Sequence, residues 1–322
     1  MQHSDNLKSG FVLVTGAQGF VGLSLTAALV KLGYQVRGAV RGNFQDNEEQ
    51  ETLSVGDING DTVWSEALAD VSVVIHLAAR VHVMKDVASD PLAEFRKVNV
   101  EGTLNLARQA VQVGVKRFIF ISSIGVNGVA TTPSKAFSES DKINAHNGYA
   151  LSKWEAEQGL MQMAVETGLD VVIIRPPLVY GFNAPGNFGS LMRAVQKGWP
   201  LPLGAVYNQR SLVALDNLVD FIITCISHPQ AANETFLVSD GHDLSTTELV
   251  RGMAQAVGVS ARLLPVPVWA LQAGATLLGK GEAVQRLCGN LQVDISKART
   301  LLGWVPPVSV ADALKATARG LG

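Results

Sequence analysis

A chain of 322 residues, 47% hydrophobic, with 26 Lys+Arg against 28 Asp+Glu, is long enough for one large or two modest domains with a substantial core. A net charge of −2 without any basic run excludes a nucleic-acid surface. Two cysteines, Cys225 and Cys288, lie far apart outside any Cys-x-x-Cys pattern, which excludes a disulfide framework and leaves no metal site in view.

The polar start, Met1 to Gly10, carries no signal-peptide core, so the expected location is the cytoplasm. Phe11–Thr15 is a short apolar, β-branched run that predicts a buried strand. Behind it, Gly16-Ala17-Gln18-Gly19-Phe20-Val21-Gly22 spaces its glycines three apart before Leu23–Leu32 continues at helical periodicity. Gly16 allows the tight turn, Gly19 lets backbone approach a pyrophosphate, and Gly22 permits close helix–strand packing. The helix N-terminus then offers free N–H groups to an anion.

Gln35–Val40 predicts the second strand. Its end, where an NAD site usually places Asp or Glu, carries Val40 and Arg41. A guanidinium binds a 2′-phosphate that a carboxylate would repel. NADP(H) is therefore favoured, with Arg41 the main contact and Arg37 a secondary one. NAD(H) stays possible if Arg41 stacks on adenine, or if Asp46 or Glu48 folds back onto the ribose. Asn43–Glu51 reads as an exposed loop.

Helical patterning at Val63–Ala69, Pro91–Gly114 and Tyr149–Thr167 alternates with strand-like runs at Val73–Leu77, Arg117–Ser122 and Val171–Arg175. Such alternation predicts an α/β fold, a Rossmann-type doubly wound parallel sheet covered on both faces. Ligands on such sheets bind beyond the strands' carboxyl ends. Gly16, Ala78, Ser123 and Pro176 all fall there.

After Gly181 the texture changes. Asn183–Arg210 is rich in Gly, Pro and Asn around a helical piece at Ser190–Lys197, and Asn233–Gly322 is mixed. The organisation expected is a dinucleotide-binding domain over 1–181, to which 212–228 returns, and a smaller C-terminal substrate-binding lobe from 182–211 and 229–322. Asp216 is expected to cap a helix starting at Asn217. Leu263–Leu278 is apolar but broken by Pro265, Pro267 and Gly274, too short to span a membrane, and reads as a core or dimer-face helix. His76, His82 and His146 lack partners at useful spacing and read as structural or exposed.

Tyr149 and Lys153 stand four residues apart, hence on one helix face, with Ser122 and Ser123 one strand-to-helix connection upstream. A cation beside a phenol favours phenolate, making Tyr149 a candidate acid or base at a sugar or alcohol oxygen.

The glycine loop together with this Ser/Tyr/Lys set resembles the extended short-chain dehydrogenase/reductases, and within them the nucleotide-sugar epimerase/dehydratase/reductase group. Further matching segments are Asp57-Ile58, His76-Leu77-Ala78-Ala79, Asn99-Val100-Glu101-Gly102-Thr103, Arg175-Pro176-Pro177-Leu178-Val179-Tyr180-Gly181 and Arg210-Ser211-Leu212-Val213-Ala214-Leu215-Asp216. The resemblance implies catalysis by Ser123, Tyr149 and Lys153. It implies cofactor contacts from Gly16, Gln18, Gly19, Phe20, Val21 and Gly22, with Asp57 and Ile58 at the adenine. Leu77, Ala78 and Ala79 would line the dinucleotide path, Asn99 would brace the site, Pro176 would shape the nicotinamide pocket, and Ser122 is counted with the cofactor contacts but reads more simply as a strand-end hydrogen-bonder. Substrate would meet Asn187, Phe188 and Arg210, with Arg286 as a second diphosphate arginine, and a homodimer would form through two helices per subunit.

Dehydratases of the group carry an acidic pair after the catalytic hydroxyl, whereas Ser123 precedes Ile124-Gly125. Two sugar chemistries remain: an NADPH-dependent 4-ketoreductase and a 4-epimerase that retains NAD. Arg41 without an acidic partner favours the reductase. The resemblance, with Asn127-Gly128 in place of a Tyr-Gly, suggests a UDP-4-keto-6-deoxy-N-acetylhexosamine for surface polysaccharide synthesis. A catalytically dead dinucleotide sensor on the same fold is disfavoured because Tyr149 and Lys153 are both present.

Overall fold

The structure, a computed structural model, describes residues 10–42, 51–81, 90–133, 135–277, 279 and 281–320. Asp46, Glu48 and His82 lie outside these residues.

The strands are β1 (Phe11–Thr15), β2 (Val36–Val40), β3 (Glu51–Ser54), β4 (Val71–His76), β5 (Arg117–Ile121), β6 (Asp170–Arg175) and, in a separate pair, β7 (Leu178–Tyr180) and β8 (Leu212–Ala214); β9 (Glu234–Leu237) follows. Seven of them form one parallel sheet in the order β3-β2-β1-β4-β5-β6-β9. The order reverses between β1 and β4, the crevice where such sheets take ligands. Period-2 geometry explains the near-continuous apolar strands. Val12, Val14, Val73, Ile75, Val172 and Ile174 enter one core, while Leu13, Val74, Val171 and Ile173 enter the other.

Helices α1 (Phe20–Lys31), α2 (Pro91–Arg96), α3 (Thr103–Gln112), α4 (Gly148–Thr167), α5 (Gly186–Gln196) and α6 (Leu215–Ser227) are followed by α7 (Thr246–Val257), α8 (Val268–Leu277), α9 (Gly281–Cys288), α10 (Ser296–Leu302) and α11 (Val310–Arg319). α1 and α6 cover the first core, α3 and α4 the second. Tyr180, Phe188, Met192, Val250, Met253 and Leu314 form a third core.

Several expectations are corrected. Glu234–Leu237, assigned from sequence to the lobe, is the seventh strand of the main sheet, paired to β6. Val63–Ala69 forms turns rather than a helix, and its apolar signal comes from the fully buried Trp64. The half-exposed edge strand β3 lacks an apolar pattern and escaped notice. Pro91–Gly114 is helical but interrupted by a π-helical turn at Lys97–Gly102, a widening common at functional sites. Helix α6 starts at Leu215, so Asp216 sits in its first turn without a capping bond. α8 is mostly exposed: Ala275 is its one buried residue.

Candidate active site

The glycine loop leaves β1 with Gly16 at φ +68°, a backbone conformation a side chain resists. A Cβ on Gly22 would lie 2.2 Å from the Gly16 carbonyl, so α1 packs this tightly on the turn only without one. Beside the loop opens a cavity of about 560 Å³ whose lining includes Gly16, Gln18, Gly19, Arg41, Asp57, Ile58, Ala78 and Ala79. Eight residues expected at the cofactor therefore meet in one place. Sequence reasoning missed Arg80 and Lys97 in the same wall. Arg80 directly follows the His-Leu-Ala-Ala segment, and Lys97 precedes Asn99 by two residues, so both were within reach of the motifs.

Of the other expected contacts, Phe20, Val21 and Leu77 pack against the first core beside the loop. Arg37 is misassigned. It sits at the amino end of β2, away from the cavity mouth, and is buried. Its guanidinium pairs with Glu51 at 2.9 Å, donates to the Ala67 carbonyl at 3.2 Å and lies over Phe11. Arg41 does reach the cavity, but with an acidic partner: its Nε stands 3.1 Å from Asp57 Oδ1, both side chains largely exposed. The expectation of an arginine without a carboxylate is thus overturned, because the acid arrives from the loop after β3 rather than from β2.

Asn99 is a brace. Its amide nitrogen donates to the Arg80 carbonyl and Ser152 Oγ, each at 3.0 Å, and its oxygen accepts from Arg80 N at 2.8 Å. The π turn thereby ties the cavity wall to α4. His76, expected to lack partners, has two: Nδ1 lies 2.7 Å from Thr15 Oγ1 and Nε2 3.0 Å from Thr103 Oγ1. Full burial, with the Lys153 charge nearby, pushes the imidazole pKa down to about 3. His146 is exposed.

The Ser/Tyr/Lys set lies at the carboxyl end of β5, beyond the residues lining that cavity. Ser123 Oγ accepts from Gly125 N at 3.1 Å, and a Cβ on Gly125 would touch both Ser123 Oγ and Ala150, so the serine turn packs on the first turn of α4. Asn147 caps that helix through Ala150 N. Tyr149 faces Phe95 edge-on at 6.2 Å, and burial pushes its phenol up to about 12. Lys153 is buried. Its Nζ donates to the Ile121 carbonyl at 2.8 Å and lies 4.3 Å from the centre of the Phe120 ring. Burial pulls its pKa down to about 7, with Glu157 opposing. The expected lowering of the tyrosine by the lysine is not the balance seen here, since desolvation of the phenol dominates.

Ser122 is the strand-end hydrogen-bonder rather than a cofactor contact: its hydroxyl donates to buried Glu157. Glu157, one turn beyond Lys153 on α4, also receives Arg175 Nε at 2.9 Å, and Arg175 Nη1 reaches Asn127 Oδ1 at 3.0 Å. This network was missed, although the four-residue spacing from Lys153 to Glu157 was a usable signal. It also absorbs Asn127, which was read as a mark of substrate type. Pro176 is buried and accepts Ile124 N at 3.0 Å, fixing the backbone beside Ser123.

Among substrate candidates, Asn187 is exposed in the first turn of α5, whereas the Phe188 ring is core, stacked on Tyr180 at 5.2 Å. Only the backbone of Phe188 remains for a ligand. Arg210 is largely buried, with Nη1 donating to the Gly289 carbonyl at 3.0 Å. Burial lowers its pKa. Arg286 is exposed on α9, the helix that ends at Cys288 near Arg210. Among the described residues no His/Cys/Asp/Glu group could hold a metal ion, and no helix is long and apolar enough to cross a membrane.

The chain is 49% identical over 310 residues to the UDP-glucose 4-epimerase of Vibrio cholerae, covering 96% of this chain and 94% of that one. It is 28% identical to the N-acetyl-alpha-D-glucosaminyl-diphospho-ditrans,octacis-undecaprenol 4-epimerase of Escherichia coli O157:H7, covering 95% and 93%. Among solved structures, the fold is shared with UDP-glucuronic acid 4-epimerase from Bacillus cereus in complex with NAD. The TM-score is 0.77 at 23% identity, over 97% of this chain and 96% of that one. The sequence pattern of the NAD dependent epimerase/dehydratase family matches residues 12–239, and the chain belongs to that family.

Proposed function

We propose that this protein is an NAD-dependent 4-epimerase of a UDP-linked hexose. The observation that carries the reading is the 49% identity, over nearly its whole length, to the Vibrio cholerae UDP-glucose 4-epimerase. The Arg41–Asp57 pair supports NAD over NADP, since a carboxylate at the adenosine end disfavours a 2′-phosphate. Both observations support epimerisation over the single-turn reduction favoured from sequence.

The residues present fit a dinucleotide. The glycine turn is closed to any Cβ, α1 points its N-terminus at the cavity, and Gln18, Ile58 and Ala79 line it. NAD held there supplies the hydride acceptor and donor. Tyr149 Oη takes the proton from the sugar's C4 hydroxyl and returns it after the 4-keto sugar presents its other face. A phenol near 12 is protonated at neutral pH, so the phenolate that acts as base needs a stabilising cation, and Lys153, one turn along α4, is positioned to supply it. Ser123 donates to the C4 oxygen, orienting the developing carbonyl. Arg210 grips the substrate diphosphate, with Asn187 and the Phe188 backbone nearby.

The test is conversion of UDP-galactose to UDP-glucose by purified protein with no added nucleotide, together with mass spectrometry of what denaturation releases. Interconversion and stoichiometric NAD are expected. NADPH-dependent consumption of a UDP-4-keto sugar without interconversion would overturn the reading in favour of the reductase.

A further inference from the structure

The turn that carries Ser123 is fastened at both ends to one buried ion pair. Arg175 Nε, at the end of β6, lies 2.9 and 3.2 Å from the two carboxylate oxygens of Glu157 on α4, and Nη2 completes the fork. Each partner also reaches the serine turn. Ser122, directly before Ser123, donates its hydroxyl to Glu157. Asn127, four residues after Ser123, accepts Arg175 Nη1 at 3.0 Å, and its amide nitrogen donates onward to the Ser138 carbonyl at 2.9 Å. Main chain holds the same stretch to its neighbour: Ser122 N donates to the Ile174 carbonyl at 2.7 Å and Ile124 N to the Pro176 carbonyl at 3.0 Å.

Ser122 and Asn127 are buried, whereas Ser123 between them is half-buried. Its Oγ accepts from Gly125 N, so the hydroxyl keeps its own hydrogen for an acceptor outside the turn. Where that hydrogen points is set by the turn. Taking two charges out of water is costly, and apolar residues of the same volume often hold a fold as well or better. Apolar residues have no donors or acceptors to aim at the two ends of a loop. Glu157 follows Tyr149 and Lys153 at successive four-residue steps on α4, so the pair ties the serine turn to the helix that carries the phenol.

We infer that the Glu157–Arg175 pair, acting through Ser122 and Asn127, is the positioning device that sets the Ser123 hydroxyl against Tyr149 for the reaction at C4. The inference rests on the role given above to Ser123 at the C4 oxygen. A reacting group must be held within about 0.5 Å of its productive place, and a misplacement of about 1 Å costs on the order of a hundredfold.

The experiment is a double-variant cycle on kcat. Ser122→Ala and Asn127→Ala each remove one tie and leave the fork between Glu157 and Arg175 in place. Each is expected to lower kcat about tenfold, with KM and NAD content changed less than about twofold. Ser123→Ala alone is expected to lower kcat about a hundredfold. Added to Ser123→Ala, either tie variant is expected to change kcat less than about twofold, because the group it positions is gone. A merely structural contact takes its toll in both backgrounds. Equal losses with and without Ser123 therefore overturn the inference, as do single variants at the wild-type kcat, or losses of kcat matched by losses of bound NAD. The cycle is run on whichever turnover the wild type shows, since Ser123 meets the C4 oxygen in interconversion and in reduction alike. A wild type that reduces a UDP-4-keto sugar without interconverting UDP-galactose and UDP-glucose sinks the epimerase reading and leaves the cycle to decide this one. A wild type with neither turnover overturns both.

Discussion

The two ends of the cleft are built differently. At the glycine end the shape is backbone: a Cβ on Gly16, Gly19 or Gly22 would crowd neighbouring main chain. The side chains beside them, Arg41 and Asp57, are 83% and 79% exposed. At the other end the polar groups are buried and tied down. Lys153 is held to the Ile121 carbonyl, Glu157 to Arg175, and Asn99 between Arg80 and Ser152. An anion can be held by backbone amides and a helix end, which are insensitive to most side-chain changes. A proton must be moved by particular atoms at fixed places away from bulk water. Side-chain substitutions should therefore hurt at one end and be tolerated at the other.

Tyr149→Phe is the sharpest probe of that contrast. Turnover should fall about a thousandfold, in the range expected for a lost general acid–base, while NAD content measured by mass spectrometry stays at the wild-type level. Loss of the dinucleotide as well would break the separation of the two ends.

Arg175→Met leaves Glu157 buried without its cation. A loss of about 3–5 kcal/mol in urea unfolding is expected, with much of it restored when Glu157→Leu is added. Single and double variants of equal stability would mean that the pair does not hold the reacting end.

His76 makes the fold sensitive to acid. Its imidazole is held near 3 in the folded chain against 6.5 when free, so the unfolded chain binds the extra proton first. That contribution to stability is complete above pH 6.5 and is lost as pH falls toward 3. Between pH 7 and pH 5 about 2 kcal/mol should disappear from urea unfolding. His76→Gln should flatten this slope, and an unchanged slope would remove the histidine from the account.

Arg41→Ala should do least. Its ion pair is exposed and worth about 0–1 kcal/mol, so NAD affinity by titration calorimetry should change less than about fivefold. A loss of NADP binding larger than about tenfold would instead revive the 2′-phosphate role read from the sequence.

Most of the sheet could be read from the chain because its strands announce themselves. Phe11–Thr15 was bounded correctly, and the predicted runs at β2, β4, β5 and β6 differ from the structure by one or two residues at an end. Edge strands were harder. β3 is half exposed and β9 holds four residues, too short for periodicity to register. Arg37 misled for a simple reason: strand position decides which end of the sheet a side chain occupies, and an arginine near the right motif pointed to the wrong end. Asn127 misled because its buried partner, Arg175, lies tens of residues away in sequence, and the partner of Ser122, Glu157, was out of view for the same reason.

The sequence by itself determined the wound sheet, the glycine turn and the placing of Tyr149 and Lys153 one turn apart on a single helix, because each depends on local spacing. Tertiary structure alone decided which charges meet. Asp57 came to Arg41 from a different strand's loop, Glu157 to Arg175 across a helix and a strand, and Asn99 to Ser152 through a widened turn. Such pairs close long loops of chain, and only packing brings their atoms within the short reach of a hydrogen bond.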